Sequence, residues 1–262
     1  MSAFLRIMRA PKLVPKVSMS LPAFQNIDAS VAKGGVFALG NFDGVHLGHK
    51  AVISAALEKA RNMGVPARVL TLEPHPRSLF KPHIPPFRLT PAPAKTRLLK
   101  ALGIEDVVVI PFTKEFADLP AHSFVDDILL KTCGAQHAIA GFDFVFGHNR
   151  AGDMKNLRAW LAPHNIGVTE VTPFRDAQGE IMSSSRTREA LQAGDLKTAE
   201  HILGRPWSIS GIIQKGDQRG RQMSVPTANI ALGDHLRPKF GVYAVNAGRV
   251  GQPASYHGVA NI

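Results

Sequence analysis

Cysteine is almost missing from this chain of 262 residues: Cys133 stands alone, which excludes the internal disulfide framework on which small secreted domains rely. No apolar run approaches the roughly eighteen residues that a membrane-spanning helix requires, and stretches such as VLTLE and VVVIPF have only strand length. Aromatic residues are 7% of the chain and nowhere interleave with basic ones as in a platform for stacking bases. The GxxxxGK[ST] phosphate loop is absent as well. The opening MSAFLRIMRAPKLVPKVS is basic and acid-free but lacks the compact apolar stretch and small-residue cleavage pattern of a signal peptide. It reads as a first strand or a loose arm, with a targeting or membrane-touching segment as the alternative. These absences point to a cytoplasmic protein with no membrane partner.

What is present is ordinary globular material, 45% hydrophobic and 19% charged, long enough for one large domain or two modest ones. The net charge of +11 favours anionic partners. Nucleic acid satisfies that, and so do phosphorylated small molecules; charge does not choose between them, and no base-reading motif is present.

From Val36 to about Gly204, short apolar runs alternate with helical patterns. VFAL (36–39), RVLTL (68–72), VVVI (107–110), HAIA (137–140) and GVTEV (167–171) are expected to be buried strands. Helices are expected over Leu47–Asn62, Ala94–Ala101, Ser123–Cys133, Met154–Leu161, Ser185–Gln192 and Leu196–Leu203, with Ser123 and Asp126 capping the third. Such alternation predicts a mostly parallel sheet covered on both faces, with ligands outside the strands' carboxyl ends. After Gly204 the periodicity drops to two between glycine-rich turns, as in GVYAVNAGRV, and no further helix is expected. The chain thus divides into an α/β domain over 1–204 and a β, barrel-like module over 205–262, short enough to be incomplete or to lean on the first.

The strongest chemical signal is VFALGNFDGVHLGHKAVI, a strand, a glycine turn and then His46-Leu47-Gly48-His49 opening a helix. Histidines three apart lie on one side of a first turn, where unpaired amides and the helix dipole favour phosphate. Gly48 carries no side chain to keep a nucleotide from the backbone. Zinc ligation and simple packing are the alternatives, but the pair lacks the acidic residue and third ligand of a hydrolase helix. Met182-Ser183-Ser184-Ser185-Arg186-Thr187-Arg188 supplies hydroxyls and guanidinium groups for a second phosphate clamp, or helix capping with solvated arginines. At the second strand's exit, Glu73-Pro74-His75-Pro76-Arg77 places His75 and Arg77. After the fourth, the loop from Gly141 to Asp153 carries phenylalanines that suit a planar ring system, with Asp143 for its polar atoms, or form a structural aromatic cluster.

In order, GNFDGVHLGH (40–49), TLEPHPR (71–77), GFDFVFGHNRAGD (141–153), SSSRTR (183–188) and LGRPW (203–207) closely resemble the adenylyl transferase module of bacterial bifunctional riboflavin kinase/FAD synthetases. The resemblance spans roughly Phe37 to Ile262. It implies a Rossmann-like nucleotidyltransferase domain that makes FAD and pyrophosphate from ATP and FMN. His46 and His49 would then hold the ATP phosphates, Asn41 and Asp43 would organise the turn, and Ser184 and Arg188 would complete the phosphate site. Asp143 would lie on the flavin side, and Mg2+ would travel on the triphosphate, held by nucleotide oxygens and water.

Gly216-Asp217-Gln218-Arg219-Gly220-Arg221 and Pro226-Thr227-Ala228-Asn229 resemble the riboflavin kinase module, where Thr227 and Asn229 would hold Mg-ATP for attack by riboflavin. The Glu that serves as general base in that family has no counterpart here, since no acidic residue follows Asp234. Kinase activity is therefore doubtful in this exact polypeptide, whose kinase module is read as incomplete at its end. Ser185 replaces the usual Thr, Thr187 the usual Ile, and Ser224-Val225 the usual Gly-Phe. Expected partners are small nucleotides and flavins rather than nucleic acid.

Overall fold

A computed structural model describes residues 33–214, 227–253 and 256–262. The basic opening stretch, the glycine-rich loop from Gly216 to Arg221 and Ser224-Val225-Pro226 lie outside the described residues. The first unit is a five-stranded parallel sheet in the order β3-β2-β1-β4-β5. Its strands are β1 (Val36–Leu39), β2 (Ala67–Glu73), β3 (Asp106–Pro111), β4 (His137–Gly141) and β5 (Gly167–Val171). All four residues of β1 are buried, because the strand is flanked on both edges and covered on both faces. Its side chains alternate between two cores. Phe37 and Leu39 join Leu70, Ile110, Ile128 and Leu157, while Val36 and Ala38 join Val69, Ile53, Leu99 and Ile139.

Leu39 is in register with Leu70 on one side and Ala140 on the other. The chain leaves β1 towards β2 and later returns to β4 on the opposite edge, so the connections diverge at the carboxyl ends of β1 and β4. That is the crevice where open α/β sheets bind ligands.

The helices are α1 (Leu47–Met63), α2 (Pro76–Phe80), α3 (Ala92–Ala101), α4 (Lys114–Ala117), α5 (Ala121–Ser123), α6 (Met154–Leu161), α7 (Ser184–Ala193) and α8 (Leu196–Leu203). The short α2 and α4 are additions to the expected set, since one turn is too brief to show a period. The expected helix over 123–133 is wound differently: α5 runs into a π-helix over Phe124–Thr132. Ser123 has helical backbone angles and makes no side-chain capping bond, because the helix has already begun behind Pro120. The Ser123–Asp126 cap is therefore absent.

Beyond Gly204, the left-handed cap of α8 (φ 62°), the described residues hold only strands. Ile213–Gln214 (β6) pairs antiparallel with Asn229–Ile230 (β7), and Val242–Ala247 (β8) with Tyr256–Asn261 (β9). Among the described residues these remain two separate pairs. The segment around Leu236 leans on the first unit. Leu236 is buried with Phe87, Leu89, Ala190, Leu191 and Ala199, and Trp207 packs alongside.

Candidate active site

The turn from Gly40 to His46 leaves β1 through three left-handed residues, Phe42 (φ 50°), Gly44 (φ 91°) and Val45 (φ 44°). A β-branched residue in that region is a strained position, so surrounding contacts must hold it. They converge on Asp43, whose buried carboxylate accepts from the amides of Leu89 (3.0 Å) and Thr90 (2.9 Å) and from Arg188 Nη2 (2.7 Å). Thr90 Oγ1 in turn accepts from the Gly44 amide at 2.8 Å. Asp43 thus braces the turn from within. Asn41 contributes its carbonyl, which accepts from Lys95 Nζ (3.1 Å) and Thr71 Oγ1 (3.2 Å).

His46 is the N-cap of α1, and its Nδ1 accepts from the His49 amide at 3.3 Å. One of the amides expected to be free for phosphate is therefore capped from within. An accepting Nδ1 fixes the neutral tautomer of His46 with its proton on Nε2, while His49 Nδ1 is buried and finds no hydrogen-bond partner among the described residues. The two rings stack 3.6 Å apart, and Phe42 meets His49 edge-on. Gly48 serves packing, since an added Cβ would lie 3.0 Å from the Met182 carbonyl and 3.1 Å from the His46 ring. Its bare backbone lets α1 approach the start of α7.

Burial pushes the His46 pKa down to about 4 against partial opposition from Asp43, with Arg188 and Arg205 lowering it further. Burial also holds His49 well below its ordinary value, reinforced by His46, Lys95 and Arg188. Both imidazoles are therefore neutral donors at neutral pH. The linkage has a definite sign. Below pH 6.5 the unfolded chain binds a proton that folded His46 refuses until about pH 4, so stability present above that window is lost as pH falls through it. The expected loss is about 3 kcal/mol for His46. Urea melts at pH 7.5, 6 and 5 check it, and a midpoint that does not move with acid contradicts it.

Around the turn lies a buried charge network. Glu73 takes both Arg88 Nη1 (2.8 Å) and Nη2 (2.6 Å) and pairs with Lys95 Nζ (2.6 Å), while Asp43 pairs with Arg188 and stands 3.7 Å from Arg88 Nε. Burial opposes ionisation of Glu73, but its bonds to Arg88 and the charges of Lys95 and Arg88 outweigh that and lower its pKa. Three cations thus face two carboxylates, with Asp234 adding a weaker negative charge towards Arg88. Arg205, whose Nη2 donates to the Gly44 carbonyl at 2.9 Å, adds a further positive charge beside the turn. A partly buried surplus of positive charge is costly unless an anion completes it, and neither carboxylate is left over to bind a metal directly.

The start of α7 forms the second wall. Ser183 caps it by accepting from the Arg186 amide at 3.2 Å, and Ser184 Oγ donates to the Asp43 carbonyl at 2.7 Å. Ser184 therefore fastens this wall to the histidine turn. Arg188 Nε also donates to the Phe87 carbonyl (3.0 Å), with its guanidinium 5.4 Å from the Phe87 ring. Arg77 lies 5.0 Å from the same ring and His75 meets it edge-on, so Phe87 gathers three expected site residues. Asp143 sits exposed where β4 ends. Of the loop's phenylalanines, Phe142 is 42% exposed whereas Phe146 is buried in the core with Phe144 packed beside it. Only Phe142 is thus presented at the surface for a planar ring. Thr227 and Asn229 are exposed on and beside β7.

The sequence alone assigns no role to Glu73, Arg88, Lys95 or Arg205. Glu73 lies in TLEPHPR and Arg205 in LGRPW, but a charged residue in a motif does not reveal its partner. Lys95 resembled an ordinary surface lysine of α3 and is almost wholly buried.

Comparison with known proteins gives the family. Residues 28–186 match the family described as FAD synthetase and residues 203–262 the one described as riboflavin kinase. The bifunctional riboflavin kinase/FMN adenylyltransferase of Escherichia coli (strain K12) is 37% identical over 90% of this chain and 75% of its own length. That of Bacillus subtilis (strain 168) is 40% identical over 87% and 71%. A crystal structure described as a macrolide-efflux protein from Streptococcus pneumoniae superposes with a TM-score of 0.78 at 30% identity, covering 91% of this chain and 76% of that one. With the neutral histidine pair, the surplus positive charge and the crevice at β1 and β4, these matches show that the chain belongs to the FAD synthetase family of bacterial bifunctional riboflavin kinase/FMN adenylyltransferases.

Proposed function

We propose that the chain transfers the adenylyl group of ATP to FMN. A phosphate oxygen of FMN attacks the α-phosphorus, the bond from that phosphorus to the bridging β-oxygen breaks, and pyrophosphate leaves with the electron pair. No protein nucleophile is needed, so the work is positioning and stabilisation of charge on the five-coordinate phosphorus. The observation that carries the reading is the pair of imidazoles stacked 3.6 Å apart at the start of α1, beside a buried cluster of Arg88, Lys95, Arg188 and Arg205. In it, His46 and His49 donate from Nε2 to the oxygens of the α-phosphate, and Arg188 and the start of α7 close on the phosphates. Ser184 acts through its bond to the turn. Asp143 and Phe142 lie on the flavin side, and His75 and Arg77 line the adjoining rim.

Magnesium suits this donor set as an ion brought by the triphosphate, because Asp43 and Glu73 are already saturated by cations. Bound there, it neutralises phosphate charge. Thr227 and Asn229 offer the oxygen ligands it prefers, and we assign them to Mg-ATP in the riboflavin kinase module. We divide the chain into a transferase unit over 1–204 and a kinase unit over 205–262. Among the described residues no helix is long and apolar enough to cross a membrane, and we place the enzyme in the cytoplasm with nucleotides and flavins as its partners.

Incubation with ATP and FMN is expected to yield FAD and pyrophosphate, resolved by chromatography. Strong turnover with CTP, or none with FMN, rejects the assignment. A parallel incubation with riboflavin reads out the kinase unit.

A further inference from the structure

A short stretch just past α8 ties the histidine turn to the segment facing it. Arg205 Nη2 donates to the Gly44 carbonyl at 2.9 Å, and Trp207 Nε1 donates to the Leu89 carbonyl at 3.0 Å. Pro206 between them limits the backbone. The two carbonyls belong to elements that already touch. An added Cβ on Gly44 would lie 2.8 Å from Leu89 Cδ1, the Leu89 amide donates to Asp43, and the Gly44 amide donates to Thr90. The stretch therefore crosses the join between the histidine turn and residues 87–90. Residues 87–90 face two ways. Their inward groups hold Asp43, Arg188 and Glu73, while the Arg88 amide donates to the Asp234 carbonyl (3.2 Å) and the Leu236 amide to the Arg88 carbonyl (2.8 Å).

All of these outer contacts come from residues within the riboflavin kinase match at 203–262, beyond the FAD synthetase match that ends at 186. Arg205 is also poorly satisfied. Its Nε and Nη1 are shielded and find no hydrogen-bond partner among the described residues. Burying donors unmade costs stability, so its presence is better explained by what it holds than by what it adds to the fold.

We infer that Arg205 and Trp207 are positioning residues for adenylyl transfer, a strap from the second unit that fixes the histidine turn against the segment bearing Arg88. The inference rests on the adenylyl-transfer reading.

The test uses the full chain with Arg205→Ala, Arg205→Lys and Trp207→Phe, the last removing the N–H while keeping an aromatic ring in the cluster. Arg97→Ala is the control. It breaks another contact between the same parts of the chain, Arg97 Nη2 to Ser210 Oγ at 3.1 Å, without touching the turn. Arg205→Ala is expected to lower kcat for FAD formation about tenfold and Trp207→Phe about threefold, with KM for FMN held within about twofold. Arg205→Lys, which keeps a donor for Gly44, recovers most of the loss, and Arg97→Ala is unchanged. Amide exchange in peptides covering 41–50 and 84–92 quickens in Arg205→Ala and Trp207→Phe only. If both variants keep the kcat of an active parent, the strap is overturned. A parent that makes no FAD strikes the functional reading instead, and unchanged exchange in the two variants then overturns the strap by itself.

Discussion

Replacing Asp43 by asparagine is expected to cost about 3 kcal/mol of stability, a fall of roughly 6–12 °C in Tm, and to reduce kcat/KM for FAD formation about a hundredfold or more. The change is nearly isosteric, so the loss is electrostatic. The carboxylate accepts from two amides and from Arg188 while also facing Arg88. An amide provides one acceptor oxygen and a nitrogen that donates towards groups which are themselves donors. Arg188 then loses its counter-charge and keeps only the Phe87 carbonyl, and the left-handed geometry at Val45 loses its brace. Thermal melts and steady-state kinetics measured together check both halves. Parental stability in Asp43→Asn would show that the amides of 89 and 90 hold the turn without charge. Loss of activity with unchanged Tm would place Asp43 among the groups that act on substrate rather than beneath them.

The fold was legible where periodicity ran long. The burial of β1 from Val36 to Leu39 leaves an unbroken apolar word, and the 17 residues of α1 span several turns, so each announces itself. α2 is a single turn opened by Pro76 and presents no period to read. The π-winding at 124–132 differs from an α-helix in its hydrogen bonds more than in its pattern, and the sequence VDDILLKT fits either. At the site, His46 and His49 were readable because two imidazoles three apart at a strand–turn–helix join have chemical meaning by themselves, whereas Arg188, in a separate helix, gained its meaning only beside that pair. Lys95 and Arg88 were not readable. Each lies far along the chain from the groups it serves, and only the fold reveals that Lys95 Nζ reaches Thr71 Oγ1 (2.9 Å) and Glu73 together. The role of Ser184 was half visible. A hydroxyl at a helix start indicates capping or phosphate binding, but its actual partner, the Asp43 carbonyl, is 141 residues away.

The two histidines are expected to separate into different phenotypes. His49→Ala removes a ring that makes no side-chain hydrogen bond within the described residues, leaving a gap between Phe42 and His46. Its amide still donates to His46, so the cap of α1 survives and the stability cost is confined to packing, about 1–2 kcal/mol. The rate cost is larger in kind. Loss of one donor to the developing charge on phosphorus lowers kcat about tenfold or more, as for a single missing oxyanion donor. His46→Ala removes a donor and the cap together, adding about 1 kcal/mol of destabilisation. Asparagine at 46 is the informative variant, since it ranks among the preferred caps and has no imidazole. His46→Asn should melt within a few degrees of the parent yet lose kcat as His49→Ala does. Circular dichroism melts and FAD formation, followed on the same preparations, decide the matter. Normal turnover by folded His49→Ala would remove the imidazoles from the chemistry, and full turnover by His46→Asn would reduce His46 to a helix cap.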